Sequence, residues 1–234
     1  MGFSRERYEQ VLERVERAAE KAGRAPGEVC VVAVSKTQPA EIVVEAIEAG
    51  VGILGENRVQ EARDKREEIA PEVAARARWH LIGSLQRNKA RMVPGLFDLV
   101  ESVDSLALAR ELARRVERAG AEPMEVFIQV NTGDEPQKGG ARREEVPALL
   151  QEIGQMASLR AAGLMCIPPL GRSAEESRPH FQALRELRDE ALEAGHSTVQ
   201  ALSIGMSGDF EVAIEEGATH VRIGTAIFGP RDDP

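Results

Sequence analysis

The sequence has little of what marks secreted, metal-binding or membrane proteins. Its 234 residues include two cysteines, Cys30 and Cys166, which stand far apart in apolar runs. Because there is no Cys-x-x-Cys pair and no cysteine–histidine cluster, neither a disulfide framework nor a zinc site is predicted, and both thiols are expected to be reduced. No apolar run reaches transmembrane length, and residues 1–20 are too rich in arginine and glutamate for a signal peptide. We therefore expect a cytoplasmic protein without a membrane partner.

The sequence also lacks a surplus of positive charge. The formal net charge of −9 argues against broad contact with nucleic acid or anionic membranes, although one local basic pocket for a phosphate stays compatible with it. The 42% hydrophobic content allows a sizeable core. No linker or composition break divides the chain, so residues 1–234 are predicted to form a single domain.

Strand-like and helix-like segments alternate eight times after a leading helix. Apolar residues from Tyr8 to Ala22 recur at helical spacing, and the continuous apolar run Val29–Val34 is typical of a strand buried on both faces. Further helices are predicted around Ile42–Ala49, Leu108–Val116, Val146–Ile153 and Phe181–Ala191. The remaining strands are predicted at Ile53–Leu54, Trp79–Ile82, Leu96–Val100, Val126–Val130, Leu159–Met165, Ala201–Ser203 and His220–Ile223.

This alternation predicts a parallel sheet with crossover helices in the α/β class. The competing architecture is an open doubly wound sheet, which usually has a glycine-rich turn after its first strand; here that turn is Ser35–Pro39. Eight units favour closure into a single (β/α)8 TIM barrel with an extra N-terminal helix.

Functional residues of such barrels lie at the C-terminal ends of the strands. Lys36 directly follows the first strand, where a lysine can attack an aldehyde; the simpler interpretation is a surface lysine that caps the turn. Glu56 and Asn57 follow the second strand, and the third strand carries His80.

Two loops near the end of the chain resemble a phosphate site. Ser203–Ser207 and Ile223–Thr225 follow the seventh and eighth strands, where barrels often bind phosphate, and they supply glycines and hydroxyl groups. The glycines and serines of either loop alone are explained as well by turn formation. Both loops together, at the same end of the barrel as Lys36, favour a phosphate-binding site.

Arg222 is predicted to point into the barrel, because strand alternation places Val221 and Ile223 on the opposite face. A buried guanidinium needs an acceptor. Spacing alone leaves two acceptors open, the carboxylate of Glu56 and the ring nitrogen of a cofactor.

A series of motifs extends along nearly the whole chain: Ala33–Thr37, Gly55–Asn57, Val59–Glu61, Trp79–Gly83, Leu85–Gln86, Asn88–Lys89, Asn131, Glu135, Lys138, Gly140, Gly163–Met165, Gly205–Ser207, Asp209 and Val221–Gly229. Together these motifs resemble the pyridoxal phosphate homeostasis protein family, also described as YggS-like or proline synthase co-transcribed proteins. Arg58 departs from the aromatic residue that the family often has there.

The resemblance implies a barrel like the N-terminal domain of alanine racemase (fold type III) that holds pyridoxal 5′-phosphate (PLP) as a Schiff base on Lys36. It implies that Arg222 faces the pyridine nitrogen and that Asn57 lies close to the ring. Ser207, Gly224 and Thr225 would hold the phosphate, with His80 and Met206 as further neighbours. The implied role is intracellular PLP homeostasis by buffering or delivery, with apo PLP-dependent enzymes as partners.

An amino-acid racemase is the alternative function. Racemases of this type take a second base from a tyrosine of a separate β-domain, whereas this chain ends after its eighth unit and its one tyrosine, Tyr8, lies in the leading helix. An arginine opposite the ring nitrogen also weakens the electron sink. His80 or Lys89 could still act as a second base, and a phosphosugar enzyme with a Schiff-base lysine is a third candidate. We expect a monomeric carrier.

Overall fold

Eight parallel strands pair in chain order, and the last strand pairs with the first to close a barrel. The computed structural model describes residues 2–25, 27–133, 135, 139–169, 171 and 173–230. The predicted closed (β/α)8 barrel is confirmed, which excludes the open doubly wound sheet. The strands are β1 (Cys30–Val34), β2 (Ile53–Glu56), β3 (Arg78–Leu81), β4 (Leu99–Val103), β5 (Met124–Gln129), β6 (Leu159–Met165), β7 (Ala201–Met206) and β8 (His220–Ile223).

Helices surround the barrel, and the predicted leading helix is present. Its first residue follows Ser4, whose hydroxyl oxygen accepts a hydrogen bond from the Arg7 amide at 3.3 Å and so caps the helix. None of the described helices combines the length and the apolar character that a membrane span requires. The helices are α1 (Arg5–Lys21), α2 (Ala40–Glu48), α3 (Val59–Glu68), α4 (Pro71–Ala74), α5 (Leu106–Ala119), α6 (Val146–Ile153), α7 (Arg178–Glu193), α8 (Phe210–Glu215) and α9 (Thr225–Phe228), with 3₁₀ segments at Arg87–Met92, Arg143–Glu145 and Ala174–Ser177.

The fourth strand begins three residues later than predicted. Leu96 and Phe97 are buried, but their amides both donate to the carbonyl of Val93 in a turn and not to a neighbouring strand. The strand instead includes Glu101, a fully buried carboxylate that interrupts the apolar pattern by which strands are recognised. The shift therefore comes from one polar residue inside the barrel.

Side chains of each strand alternate between two separate cores. Those that face the helices, such as Val31 and Ala33 of β1, belong to one large apolar cluster. Those that face inward include a small apolar cluster of Leu99, Phe127 and Met165. The outward and inward sets follow from the two-residue period of a strand.

The barrel interior also contains a buried polar network around Glu101. Its Oε1 lies 2.8 Å from Nδ1 of His80, and its Oε2 accepts a hydrogen bond from the hydroxyl of Ser203. Burial acts to raise the pKa of Glu101, but the hydrogen bond with His80 and the electrostatic influence of His80, His220 and the Arg222 guanidinium lower it to about 2. Glu101 is thus an ionised group inside the barrel.

His220 is the first residue of β8 and lies beside this network, towards the N-terminal ends of the strands. Its ring meets the edge of the Phe127 ring, with 5.3 Å between the ring centroids, and its Nδ1 lies 2.9 Å from the hydroxyl of Thr219. Burial lowers the pKa of His220 to about 4; His80 and Arg78 act in the same direction, whereas Glu101 and Glu125 oppose it. The folded protein therefore keeps this imidazole neutral near neutral pH.

The first prediction concerns this neutral histidine. As pH falls from 6.5 to 4, an unfolded chain binds a proton that the folded His220 does not, so stability falls. The span between the ordinary pKa of 6.5 and about 4 corresponds to roughly 3 kcal/mol of unfolding free energy. Urea unfolding at several pH values should show this loss in the wild type and a flatter profile in His220→Asn. Glu101 overlaps this window only at its acid end, since its contribution is lost between the ordinary pKa of 4.5 and about 2. An unchanged slope in the variant would contradict the assignment.

Candidate functional site

An open cavity of about 420 Å³ lies at the C-terminal ends of the strands. This is the end of a (β/α)8 barrel at which binding sites form. Seven of the eight residues predicted from the sequence line it: Lys36, Asn57, Met206, Ser207, Arg222, Gly224 and Thr225.

Lys36 reaches the cavity because of its position in the alternation of β1. Val32 is buried inside the barrel and Val34 lines the cavity, so the next residue of the same parity, Lys36, also faces the barrel mouth. Lys36 is the second residue of a turn that is closed by a 3.0 Å hydrogen bond from the Gln38 amide to the Ser35 carbonyl. The turn ends the strand and leaves the lysine at the cavity wall.

The loop after β7 is held in shape by Asp209. One carboxylate oxygen accepts a 2.6 Å hydrogen bond from the Met206 amide, and the other accepts one of 2.8 Å from the hydroxyl of Ser177. Gly205 has a φ of 89°, and a Cβ placed there would lie 2.9 Å from Cα of Phe210, so only glycine fits. These contacts present Ser207 to the cavity.

The loop after β8 joins the first loop at the cavity edge. The carbonyl of Gly224 accepts hydrogen bonds from the amides of Ile227 and Phe228, both at 2.9 Å, which starts helix α9. The Ala226 amide donates to the hydroxyl oxygen of Ser207 at 3.4 Å. Ser207, Gly224 and Thr225 therefore form one continuous edge with two hydroxyl groups, a geometry suited to an anion.

Arg222 points into the barrel, as the alternation predicted. Its Nη1 donates to the carbonyl and the hydroxyl of Ser203 at 2.6 and 2.8 Å, and its Nη2 donates to the carbonyl of Cys166 at 2.8 Å. A guanidinium has five N–H groups. Two of them, on Nε and Nη2, have no partner among the described residues, and Arg222 lines the cavity.

Glu56 is not the acceptor for Arg222. It has the same parity as Leu54, which packs against the helices, and its Oε1 lies 2.7 Å from Nζ of Lys65 in helix α3. The alternative left open by the sequence is therefore wrong, because the carboxylate points away from the barrel interior.

His80 does not line the cavity, which corrects its expected place beside the cofactor. It faces inward from the middle of β3, is fully buried and contacts Glu101. Ile82, the next inward residue, lines the cavity above it. The resemblance had implied a place beside the cofactor, whereas β3 holds His80 deeper in the barrel than the cavity lining.

Several cavity residues were not predicted from the sequence, including Ser84, Gln129 and Ile167. Gln129 is the last residue of β5, and a polar residue at a strand's C-terminal end was the available signal. Its side-chain amide donates to the carbonyl of Gly139 at 3.2 Å. Lys138, which belongs to the matching motifs, lies outside the described residues.

The chain matches the family model of the alanine racemase N-terminal domain over residues 7–232. It is 42% identical to the pyridoxal phosphate homeostasis protein of Aquifex aeolicus, covering 97% of each chain. It is 45% identical to the protein of that name from Pseudomonas aeruginosa, covering 97% of this chain and 95% of the relative. The solved structure of PipY from Synechococcus elongatus with PLP bound is 38% identical, with a TM-score of 0.80 over 92% of this chain and 100% of PipY. The chain therefore belongs to the alanine racemase N-terminal domain family, together with the pyridoxal phosphate homeostasis proteins.

Proposed function

We propose that this protein binds PLP as a Schiff base on Lys36 and serves PLP homeostasis by buffering or delivering the cofactor. The observation that carries the proposal is that one cavity combines a lysine, an arginine with two available N–H groups, and an edge of hydroxyl groups and glycines. PipY, a relative of similar length, has been solved with PLP bound, which supports the same ligand here.

The residues of the cavity fit the chemical groups of PLP. When bound, PLP supplies an aldehyde that an amine can attack and a ring that withdraws electrons. Lys36 provides the amine. Arg222 provides a donor for the pyridine nitrogen and keeps its own proton at neutral pH, so the nitrogen stays unprotonated. Asn57 and Met206 would flank the ring.

The phosphate is assigned to the edge of the cavity formed by Ser207, Gly224 and Thr225, which we call the phosphate edge. Ser207 and Thr225 offer hydroxyl donors, and Gly224 allows the backbone to approach closely. Arg222 and Lys36 are the charged side chains among the described lining residues, so the cavity favours an anionic ligand.

The cavity favours a carrier over a racemase. The described residues that line it include no histidine, aspartate, glutamate, cysteine or tyrosine. His80 lies below it and Lys89 does not line it. Tyr8 packs in the layer outside the barrel, with its hydroxyl 3.5 Å from the carbonyl of Gly50. A second base on the opposite face of an amino acid therefore has no candidate among these residues.

Delivery makes apo PLP-dependent enzymes the partners of this protein. We place the protein in the cytoplasm as a monomer, since reduced thiols such as that of the buried Cys166 are usual there. The alternative of a phosphosugar enzyme shares the lysine and the phosphate edge but differs in colour, because a Schiff base of PLP absorbs visible light.

The second prediction is that purified protein incubated with PLP is yellow and that borohydride fixes the cofactor to Lys36. The colour should be absent in Lys36→Ala and retained in Lys89→Ala, a matched loss of a lysine outside the cavity. Peptide mapping by mass spectrometry locates the label. A label on Lys89 or Lys138, or a colourless wild type, would contradict the assignment.

The third prediction concerns the phosphate edge. Ser207→Ala and Thr225→Ala should each weaken PLP binding by roughly 1–3 kcal/mol, the cost of a hydrogen bond lost to a charged group. Fluorescence titration measures the change, with Ser84→Ala as a control from another part of the cavity. Pyridoxal, which lacks the phosphate, should bind much more weakly than PLP. Equal affinities for pyridoxal and PLP would contradict the assignment of the phosphate to this edge.

The fourth prediction is that the protein neither racemises nor transaminates free amino acids efficiently. Lys36 supplies one base, and the described cavity residues supply no second. Exchange of the α-proton in deuterated water is the sensitive measurement, because one-base exchange occurs without inversion. We expect little exchange and less inversion. The carrier function would be wrong if inversion proceeded at an ordinary enzymatic kcat, on the order of 1–10³ s⁻¹, and vanished in Lys36→Ala.

A further inference from the structure

A buried ion cluster of Lys65, Glu56 and Glu61 lies between the barrel and helix α3. Nζ of Lys65 is 2.7 Å from the Ser35 carbonyl, 2.7 Å from Oε1 of Glu56 and 2.9 Å from Oε1 of Glu61. An ammonium group has three donors, and each of them has an acceptor here. The side chains of Lys65 and Glu56 are 7% and 0% exposed, so water does not compete for the bonds of Lys65 to Glu56 and to the Ser35 carbonyl.

The cluster forms hydrogen bonds with the residues on both sides of Lys36. Lys65 binds the carbonyl of Ser35, the residue before it, and the hydroxyl of Ser35 donates to Glu56 at 2.7 Å. Glu61 accepts a hydrogen bond from the amide of Thr37, the residue after it. The backbone on both sides of Lys36 is thus held by side chains that lie between the barrel and helix α3. Lys65, Glu56 and Glu61 themselves do not line the cavity.

The turn held by the cluster has an unfavourable conformation. Thr37 has a φ of 65° and is the one residue other than glycine with a positive φ in the part of the chain that the structure describes. For a β-branched residue this region is an outlier, which persists only where the surroundings over-determine it. The hydrogen bond from its amide to Glu61 and the turn closure at Gln38 are such constraints.

Stability alone is a weak reason for burying these charges. Replacing a buried ion pair by apolar groups is often neutral or stabilising. Burial raises the pKa of Glu56 in spite of the adjacent Lys65, and Oε2 of Glu56 is buried without a partner among the described residues. Burial also acts to raise the pKa of Glu61, but hydrogen bonds from Lys65 and Thr37 bring it below its ordinary value. The cluster has a cost that a purely structural contact would avoid.

We propose that Lys65, with Glu56 and Glu61, is a positioning cluster that fixes the Ser35–Gln38 turn so that the Lys36 amine meets the ligand's aldehyde. This role rests on the proposed function of Lys36. It predicts that loss of the cluster weakens capture of an aldehyde and leaves binding by Arg222 and the phosphate edge intact, because those contacts come from β8 and the loops after β7 and β8.

The test compares two ligands in the same protein. PLP carries the aldehyde, and pyridoxine 5′-phosphate carries an alcohol in its place and cannot form a Schiff base. In Lys65→Met we expect the affinity for PLP to fall on the order of tenfold to a hundredfold, as for other misplacements of a reacting group. The affinity for the alcohol should stay unchanged, and stopped-flow absorbance should show slower formation of the yellow species.

A second pair of variants avoids the buried lysine altogether. The Glu61 side chain is 25% exposed, so its replacement is tolerated more easily if Lys65→Met fails to fold. Glu61→Gln keeps an oxygen for the Thr37 amide and should keep the preference for the aldehyde. Glu61→Ala removes that oxygen and should lose the preference.

Arg24→Met is the matched control for general loss of stability. Arg24 is a cation with a side chain 17% exposed that donates to the carbonyl of Ala218 at 2.6 Å, before β8 and away from the cavity. Its loss should lower the unfolding free energy with no change in the ratio of the two affinities.

The possible results separate the positioning role from the proposed function. If both ligands weaken in equal proportion in Lys65→Met and Glu61→Ala, or if neither weakens, the cluster is structural and the inference is overturned. If the wild type itself fails to bind PLP, the proposed function fails first and the positioning role falls with it.

Discussion

The charge of Arg222 inside a closed barrel is the constraint on which the polar interior depends. A guanidinium stays protonated, so its burial requires acceptors and a countercharge. Ser203 provides a carbonyl and a hydroxyl for Nη1, and the same hydroxyl donates to Glu101. The countercharge therefore lies one side chain away, on the far side of Ser203 from Arg222. This arrangement neutralises the interior while the remaining donors of Arg222 stay available at the cavity.

The interior network also determines what His80 can do. Glu101 binds His80 through one oxygen and Ser203 through the other, so both carboxylate oxygens are occupied. His80 is fully buried below the described cavity lining, where it supports Arg222 through Glu101 and Ser203. The side chains of His80, Glu101 and Ser203 thus support Arg222 from below. Arg222 is the member of this network that lines the cavity.

The sequence predicted what depends on local pattern and missed what depends on distant pairing. Strand parity was sufficient to turn Arg222 inward, the place of Lys36 directly after the first strand put it at the C-terminal end of the barrel, and strand order placed the two phosphate loops side by side. The resemblance implied His80 as a neighbour of the cofactor, but a family motif does not show how deep in the barrel a strand residue lies. The contact between Glu101 and Ser203 joins residues 102 positions apart, and no local signal in the sequence indicates it. Glu56 stayed open as an acceptor for Arg222 because the parity of β2 was not applied to it.

The direction in which titratable side chains point determines which of them can reach a ligand in the cavity. A barrel of the alanine racemase type can place such groups at the mouth, in the interior or in the helical layer. In the part of this chain that the structure describes, Glu56, Glu61 and Lys65 belong to the layer next to α3, and His80, Glu101 and His220 lie inside the barrel. The cavity is left with Lys36 as the group that exchanges protons and with Arg222, which does not. Such a site can capture an aldehyde reversibly, and its open mouth permits the ligand to leave; the described lining residues include no histidine, carboxylate, cysteine or tyrosine beside Lys36.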